Sequence, residues 1–453
     1  MLKSINIYSN ISEYESDYDN RDDISLSFII DNTVVDSHDK DNPNIVAVCF
    51  TAEEAGSTIG LVNISSYQTL EYCKDITKYQ VWENMTTSTN ITLENIGDKV
   101  YIRGLLSGDN NEYGYYTQFK MTGKIAASGN CNALWNYHNS YAGLKAYCGY
   151  RMFFNCTSLT HAPELPSTTL SMNCYWSMFQ GCTSLTTAPE LPATILEEGC
   201  YRYMFYGCTS LTTAPELPAT TLTDYCYNRI FYGCTSLTQS PELPATTLAS
   251  DCYEYMFSNC TSLTTTPELP ATTLAGGCYN GMFSGCTSLT QAPELPATTL
   301  ADQCYGSMFS GCTSLIQAPE LPATTLADNC YRSMFWGCTG LTQAPELPAT
   351  TLTDWCYSSM FEGCTGLTTA PELPATTLTY CCYREMFQGC SNLNYIKCLA
   401  TDISETYCTA NWVNGVSPTG TFVKEAGVNW STGSSDIPEG WTVIEEDIEV
   451  VEE

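Results

Sequence analysis

No stretch of the chain approaches the ~18 consecutive apolar residues of a membrane-spanning helix, so none is expected to insert in a bilayer. Cations are scarce. Lys and Arg total 17 against 49 Asp and Glu, giving a net charge of -32, and no lysine occurs between Arg151 and Cys390. A field of this sign repels the phosphates of nucleic acids and anionic lipid heads, which excludes a nucleic-acid partner from the expected functions. Histidine is limited to His38, His138 and His161, and no two cysteines stand in Cys-x-x-Cys spacing. With those ligand sets missing, neither a metal nor a cofactor is expected. There is no Gly-x-Ser-x-Gly elbow, no Walker-type loop and no Gly-x-Gly-x-x-Gly opening a helix. Nucleophilic and nucleotide-dependent catalysis thus lack their usual carriers, and a binding or structural role is expected instead of an enzyme. The first residues, Met1 to Asn6, run into polar and acidic sequence with no apolar core of a secretory signal, so a reducing compartment is expected.

What the chain has in quantity is repetition. Pro-Glu-Leu-Pro recurs nine times, from Pro163–Pro166 to Pro371–Pro374. Each copy lies in a unit of the form Cys-Thr-Ser-Leu-Thr-x-Ala-Pro-Glu-Leu-Pro-Ala-Thr-Thr-Leu-x-x-x-Cys-Tyr-x-x-Met-Phe-x-Gly. Cys156, Cys182 and Cys208 are 26 apart and the series continues to Cys390. A second series runs from Cys148 through Cys174 and Cys200 to Cys408, and the two together hold 21 of the 26 cysteines. A fixed period of this size predicts a mainly β solenoid in which each unit stacks on the last. Cysteines returning at the same two sites are expected as buried free thiols that pack, not as a disulfide framework.

Within one unit, a helical wheel at about 100° per residue places Cys200, Met204, Cys208, Tyr201 and Phe205 on one arc. Residues of those types recur there in every unit, apart from Ile230 in one Met slot. The opposite arc varies and carries Trp176, Arg202, Tyr203, Tyr206, Arg229, Tyr232, Tyr255, Arg332 and Trp336. The pattern predicts a short helix per repeat with a fixed inner and a variable outer face. Aromatic and Arg side chains dominate binding hot spots, so Trp176, Arg202, Tyr203, Tyr206, Tyr232, Tyr255 and Trp336 are the candidate binding residues. The stretch from Leu185 to Leu196, with Pro189 and Pro192, is expected to be extended. It would stack Glu164, Glu190, Glu216, Glu242, Glu268, Glu294, Glu320, Glu346 and Glu372 into a ladder about 4.8 Å apart. That ladder reads as a solvated row, a calcium-binding edge or a comb for a repeating ligand.

The ends lack the repeat. Residues 1–130 read as an N-terminal β-rich, β-sandwich-like attachment region. Its strand candidates are Ile5–Tyr8, Ser25–Ile30, Ile45–Phe50, Lys99–Arg103 and Tyr116–Met121, and an acidic segment runs from Glu13 to Asp23. Residues 131–155 read as the N-cap and 156–398 as the repeats. Residues 399–453 read as a C-terminal cap and β-hairpin tail built on Trp412, Phe422, Trp430 and Trp441.

The phrase Met282-Phe283-Ser284-Gly285-Cys286-Thr287-Ser288-Leu289, returning at nearly every repeat over about 148–400, resembles the BspA-type leucine-rich repeat. Phe50–Gly56 and Gly420–Lys424 resemble flanks found beside such repeats. The resemblance implies a leucine-rich repeat solenoid of the kind found in surface adhesins and in fibre proteins of bacteriophages of gut bacteria. The expected function is a non-enzymatic virion fibre or appendage. It would attach to other virion proteins through its N-terminal region and present the repeats to a host surface glycan or protein, with homo-oligomerisation a further expectation. The alternative is a bacterial cell-surface adhesin.

Overall fold

The computed structural model describes residues 38–39, 42–64, 68–74, 81–106, 116–136 and 144–446. The strands expected at Ile5–Tyr8 and Ser25–Ile30, the acidic segment Glu13–Asp23 and the acidic tail past Glu446 lie outside them.

The N-terminal region is β-structure. After a short antiparallel pair, β1 (His38–Asp39) and β2 (Asn42–Val46), come β3 (Val48–Ala52), β4 (Ser57–Asn63), β5 (Thr69–Cys73), β6 (Glu83–Met85), β7 (Asn90–Leu93), β8 (Lys99–Leu105), β9 (Gln118–Thr122) and β10 (Ile125–Ser128). They form two sheets. One has the order β11-β10-β3-β8-β5-β6, its first strand β11 (Leu159–His161) being borrowed from the first repeat, and the other the order β7-β4-β9. Alternation along each strand turns Val48, Phe50, Val100 and Ile102 of the first sheet and Ile59, Leu61, Ile91 and Phe119 of the second into one shared core.

The same core runs on into the repeats without a break. The Phe119 amide donates to the Met152 carbonyl (2.9 Å), and β10 pairs in parallel with β11. The Phe119 ring stacks on Phe153 at 5.2 Å. The N-terminal region therefore supplies the layer on which the first repeat rests.

The short helices expected in the repeats are not found. Among the described residues one helical turn is present, α1 (Asn132–Trp135), and it lies before the repeats. Each repeat has instead a run of turns with a left-handed residue at every fourth position, such as Tyr225 (φ 59°), Arg229 (φ 54°) and Gly233 (φ 71°). The amides then alternate. Tyr225, Tyr227, Arg229, Phe231 and Gly233 donate to the carbonyls of Ser250, Cys252, Glu254, Met256 and Ser258 in the next repeat, at 2.8–3.1 Å. Cys226, Asn228, Ile230, Tyr232 and Cys234 donate three residues back within their own repeat, at 3.1–3.3 Å. An α-helix would turn every amide along its own axis and leave none for the neighbour. The apolar pairs Cys226-Tyr227 and Ile230-Phe231, followed by Cys234, return every four residues. They all face inward because the backbone repeats every four residues here.

The Pro-Glu-Leu-Pro side is extended and pairs sparsely. Parallel bridges join His161 to Thr187 to Thr213, Thr221 to Thr247 to Thr273, and Gln291 to Gln317 to Gln343. Two short strands, β12 (Thr169–Leu170) and β13 (Ile195–Leu196), pair in parallel at the same 26-residue offset.

Inside, like side chains stack on like. The phenylalanines from Phe119 to Phe387 form one column with ring centroids 5.2–5.8 Å apart and planes within 10°. Tyr175 to Tyr383 form a second column at 5.8–6.1 Å. All 26 cysteines are buried and unbridged. Cys208, Cys234, Cys260 and their successors to Cys364 each point Sγ at the Phe carbonyl of the preceding repeat, at 3.1 Å. Cys156 makes the same bond to the Phe119 carbonyl at 3.3 Å. Burial pushes the Cys234, Cys286 and Cys338 thiols up to about 12.

The far end closes differently from the hairpin tail expected for 399–453. Strands β14 (Tyr395–Cys398), β15 (Thr421–Glu425) and β16 (Thr442–Glu446) pair in parallel, with Tyr395 opposite Thr421 and Thr421 opposite Thr442. A hairpin needs adjacent antiparallel strands, whereas starts 26 and 21 residues apart leave room for the crossover that parallel strands require. Trp412 closes both ring columns, lying 6.2 Å from Tyr383 and 6.3 Å from Phe387, with its indole N–H donated to the Asp436 carbonyl.

Two outcomes are expected. Because the thiolate is the reacting species and is both buried and disfavoured, native protein at pH 8 should label at few of its thiols while unfolded protein labels at all 26; rapid native labelling of most would contradict this packing. Phe283→Ala, which opens a gap in the middle of a column, should cost about 3–5 kcal/mol in chemical denaturation, whereas Ser284→Ala on the outward side should cost within about 0.5 kcal/mol.

Candidate functional site: the outward turns

The four-residue period leaves three pairs of outward slots per repeat. In one repeat these are Asp224-Tyr225, Asn228-Arg229 and Tyr232-Gly233. The second member of each pair is left-handed, a conformation that costs most side chains about 1–2 kcal/mol. Gly, Asn and Ser fill many of these slots, as at Gly281, Ser307 and Asn329. Tyr203 (φ 57°), Arg229 (φ 54°), Tyr255 (φ 50°), Trp355 (φ 60°) and Tyr407 (φ 58°) occupy the same slots although small residues would fit them with less strain.

Six of the seven candidate residues come together. The Arg202 guanidinium lies 5.5 Å from the Trp176 ring, 5.3 Å from Tyr203 and 4.8 Å from Tyr225. Arg229 sits between Tyr203 and Tyr255, at 5.5 and 4.7 Å, and donates to the Tyr203 hydroxyl (2.9 Å). It is held from behind by Glu254, with Nη1–Oε2 at 3.1 Å and Nη2–Oε1 at 3.2 Å, and Asn228 donates to the same carboxylate at 2.6 Å. Burial pushes the Glu254 carboxyl up while Arg229 and Asn228 oppose the rise. Tyr206 and Tyr232 stack at 4.6 Å with planes 1° apart, and Tyr206 lies 5.8 Å from Tyr203. Burial, then the neighbouring Tyr232, pushes the Tyr206 phenol up. The result is a patch spanning four repeats in which rings and guanidiniums hold one another in place. It can offer ring edges, hydroxyls and guanidinium donors to a ligand.

The seventh candidate, Trp336, is 47% exposed and stands three repeats beyond the turn that carries Tyr255. Between them the slots hold Asn280, Gly281, Ser284, Gly306, Ser307 and Ser310. A second group joins Arg332, Trp355, Tyr380, Arg384 and Tyr407; Trp336 shares a repeat with Arg332. Sequence reasoning missed Tyr225, Trp355 and Tyr407. A helix begun at the first cysteine of each repeat leaves out the slot just before it, which a period of four includes.

All nine ladder glutamates are exposed. Glu372, at the far end, pairs with Lys397 at 3.2 Å, and Lys397 also reaches Glu446 at 3.4 Å. Among the described residues no group of three His, Cys, Asp or Glu is placed to hold a metal ion, and no helix is long and apolar enough to cross a membrane.

Residues 147–290 and 198–342 match the model of the BspA type leucine rich repeat region, in six copies. The chain carries BspA-type leucine-rich repeats. A search of curated proteins finds no match to the chain. In these BspA-type repeats the matched segments contain the first aromatic patch entirely, so the patch is a property of the variable slots within the family's own repeat.

Arg229 and Glu254 should be energetically coupled. A double-mutant cycle with Arg229→Ala and Glu254→Ala should give an interaction on the order of 1 kcal/mol by denaturation. A value indistinguishable from zero would mean that the pair does not position Arg229.

Proposed function

We propose that the chain is a non-enzymatic binding protein, a fibre or appendage of a virus particle, whose repeats form a solenoid and present the Trp176–Tyr255 patch to a host-surface receptor, glycan or protein. The N-terminal two-sheet region, of β-sandwich kind, attaches it to other virion proteins. One observation carries the binding assignment. Tyr203, Arg229 and Tyr255 occupy left-handed slots that Gly281 fills elsewhere without the Cβ strain, and bulky residues kept in strained conformations mark surfaces that do something. The BspA-type repeats support a role in binding or adhesion. The Glu ladder offers the same group at every step, which can add avidity but distinguishes poorly between shaped partners.

Fluorescently labelled protein should coat bacterial cells displaying the receptor. Replacing Tyr203, Tyr206 and Tyr232 with Ser should weaken that coating at least tenfold, while replacing Glu268, Glu294 and Glu320 with Gln should leave it within twofold. The reverse outcome would move recognition to the ladder. Immunogold labelling separates the settings: gold on virus particles supports the fibre, and gold confined to a bacterial envelope supports a surface adhesin of the same repeat type instead.

A further inference from the structure

The second aromatic group lies outside the patch just described, and its geometry differs. Trp355, Tyr380 and Tyr407 form a row along the stack, one ring per repeat. Trp355 and Tyr380 are 5.6 Å apart at 78°, and Tyr380 and Tyr407 are 6.3 Å apart at 70°. The backbone fixes the row, since the Trp355 amide donates to the Tyr380 carbonyl at 3.0 Å. In the inner columns the rings lie face on face and hide their faces from any ligand. Here successive rings meet edge to face, and exposure rises along the row from the half-buried Trp355 outward. Tyr380 is 36% and Tyr407 63% exposed. Two guanidiniums flank the indole of Trp355, Arg332 at 5.0 Å and Arg384 at 5.4 Å, and Glu385 pairs with Arg384 at 3.2 Å.

We infer that this row is a second binding site, for a neutral oligosaccharide lying along the stack. Three observations select that class. The exposed rings of Tyr380 and Tyr407, 6.3 Å apart, can pack on the C–H faces of consecutive pyranoses, with the guanidinium-capped Trp355 supporting them from one side. The flanking groups supply donors (Arg332, Arg384) and an acceptor (Glu385) at the rim, as a polyol with hydroxyls around its ring edge requires, and Glu385 offsets part of their charge. A polyanion would meet a chain of net charge -32, and a row one side chain wide is too narrow for the ~800 Å² per partner of a stable protein interface. Trp355 (φ 60°) and Tyr407 (φ 58°) are also held left-handed, so the row is kept at a cost in backbone strain.

Affinity electrophoresis of the full chain tests this in gels containing a neutral β-glucan, α-glucan, mannan, galactan or xylan, with polygalacturonate as the acidic control. Retardation is expected in at least one neutral gel. Trp355→Ala and Tyr407→Gly should abolish it, and Tyr407→Gly should leave the melting temperature unchanged or raise it, since glycine relieves the left-handed strain. The variant carrying Ser at 203, 206 and 232 should be retarded like the unaltered chain. No retardation in any neutral gel, retardation only by polygalacturonate, or retardation that survives both row substitutions would overturn the site. Loss of retardation in the 203/206/232 variant alone would also overturn it, while leaving the first patch as the receptor surface.

Discussion

Everything in the repeat region depends on where alternate amides point. A left-handed residue at every fourth position turns five amides of one repeat onto the carbonyls of the next and leaves the intervening five to close turns within the repeat. Both sets of backbone groups are satisfied with almost no regular strand and no helix. The Cys Sγ bonds to the preceding repeat's Phe carbonyls add a further link, donated in the opposite direction. Because neighbours are held at one spacing and one rotation, identical side chains are forced onto identical ones, and the Phe and Tyr columns follow.

The same constraint separates the slots that hold the stack together from the slots that vary. Inward slots are dictated by the column they join: a change at one repeat leaves a gap for two neighbours. Outward slots lie away from the columns, some of them buried as at Asn228 and Ser258, and the second slot of each pair is limited by the left-handed backbone, which favours Gly and Asn. Large aromatic and Arg side chains in these slots include two clusters, Trp176 to Tyr255 and Arg332 to Tyr407, and the slots between hold no aromatic or Arg residue. Each group is internally braced, the first by the Arg229–Glu254 pair and the second by two guanidiniums on one indole. Rings braced in this way lose little further freedom when a ligand arrives, which favours affinity.

The ends solve the problem any stack has, an open core at each face. Phe119 starts the Phe column from within the N-terminal sheets, so the region expected to attach the molecule is also the layer on which the first repeat folds. At the other end Trp412 covers both columns, and the parallel strands β14, β15 and β16 carry the repeat offset past the last Pro-Glu-Leu-Pro.

The sequence by itself determined the period, the family, the inner and outer residue types and the packing role of the cysteines, because each is a statement about spacing that stacking preserves. The strand candidates Lys99–Arg103 and Tyr116–Met121, legible from their β-branched and aromatic content, overlap the strands at Lys99–Leu105 and Gln118–Thr122. It did not determine the backbone between Cys200 and Cys208. Pairs returning every four residues sit close enough to 3.6 to pass for a helix over two turns, and what excludes the helix is the neighbouring repeat, whose carbonyls must be reached. Only the tertiary structure decided that, and with it which outward residues meet. Tyr206 and Tyr232 are 26 residues apart and stack, while Trp336, an aromatic in the same slot, has Ser310 and Glu362 in the neighbouring repeats, because position along the stack and not kind of side chain sets its company.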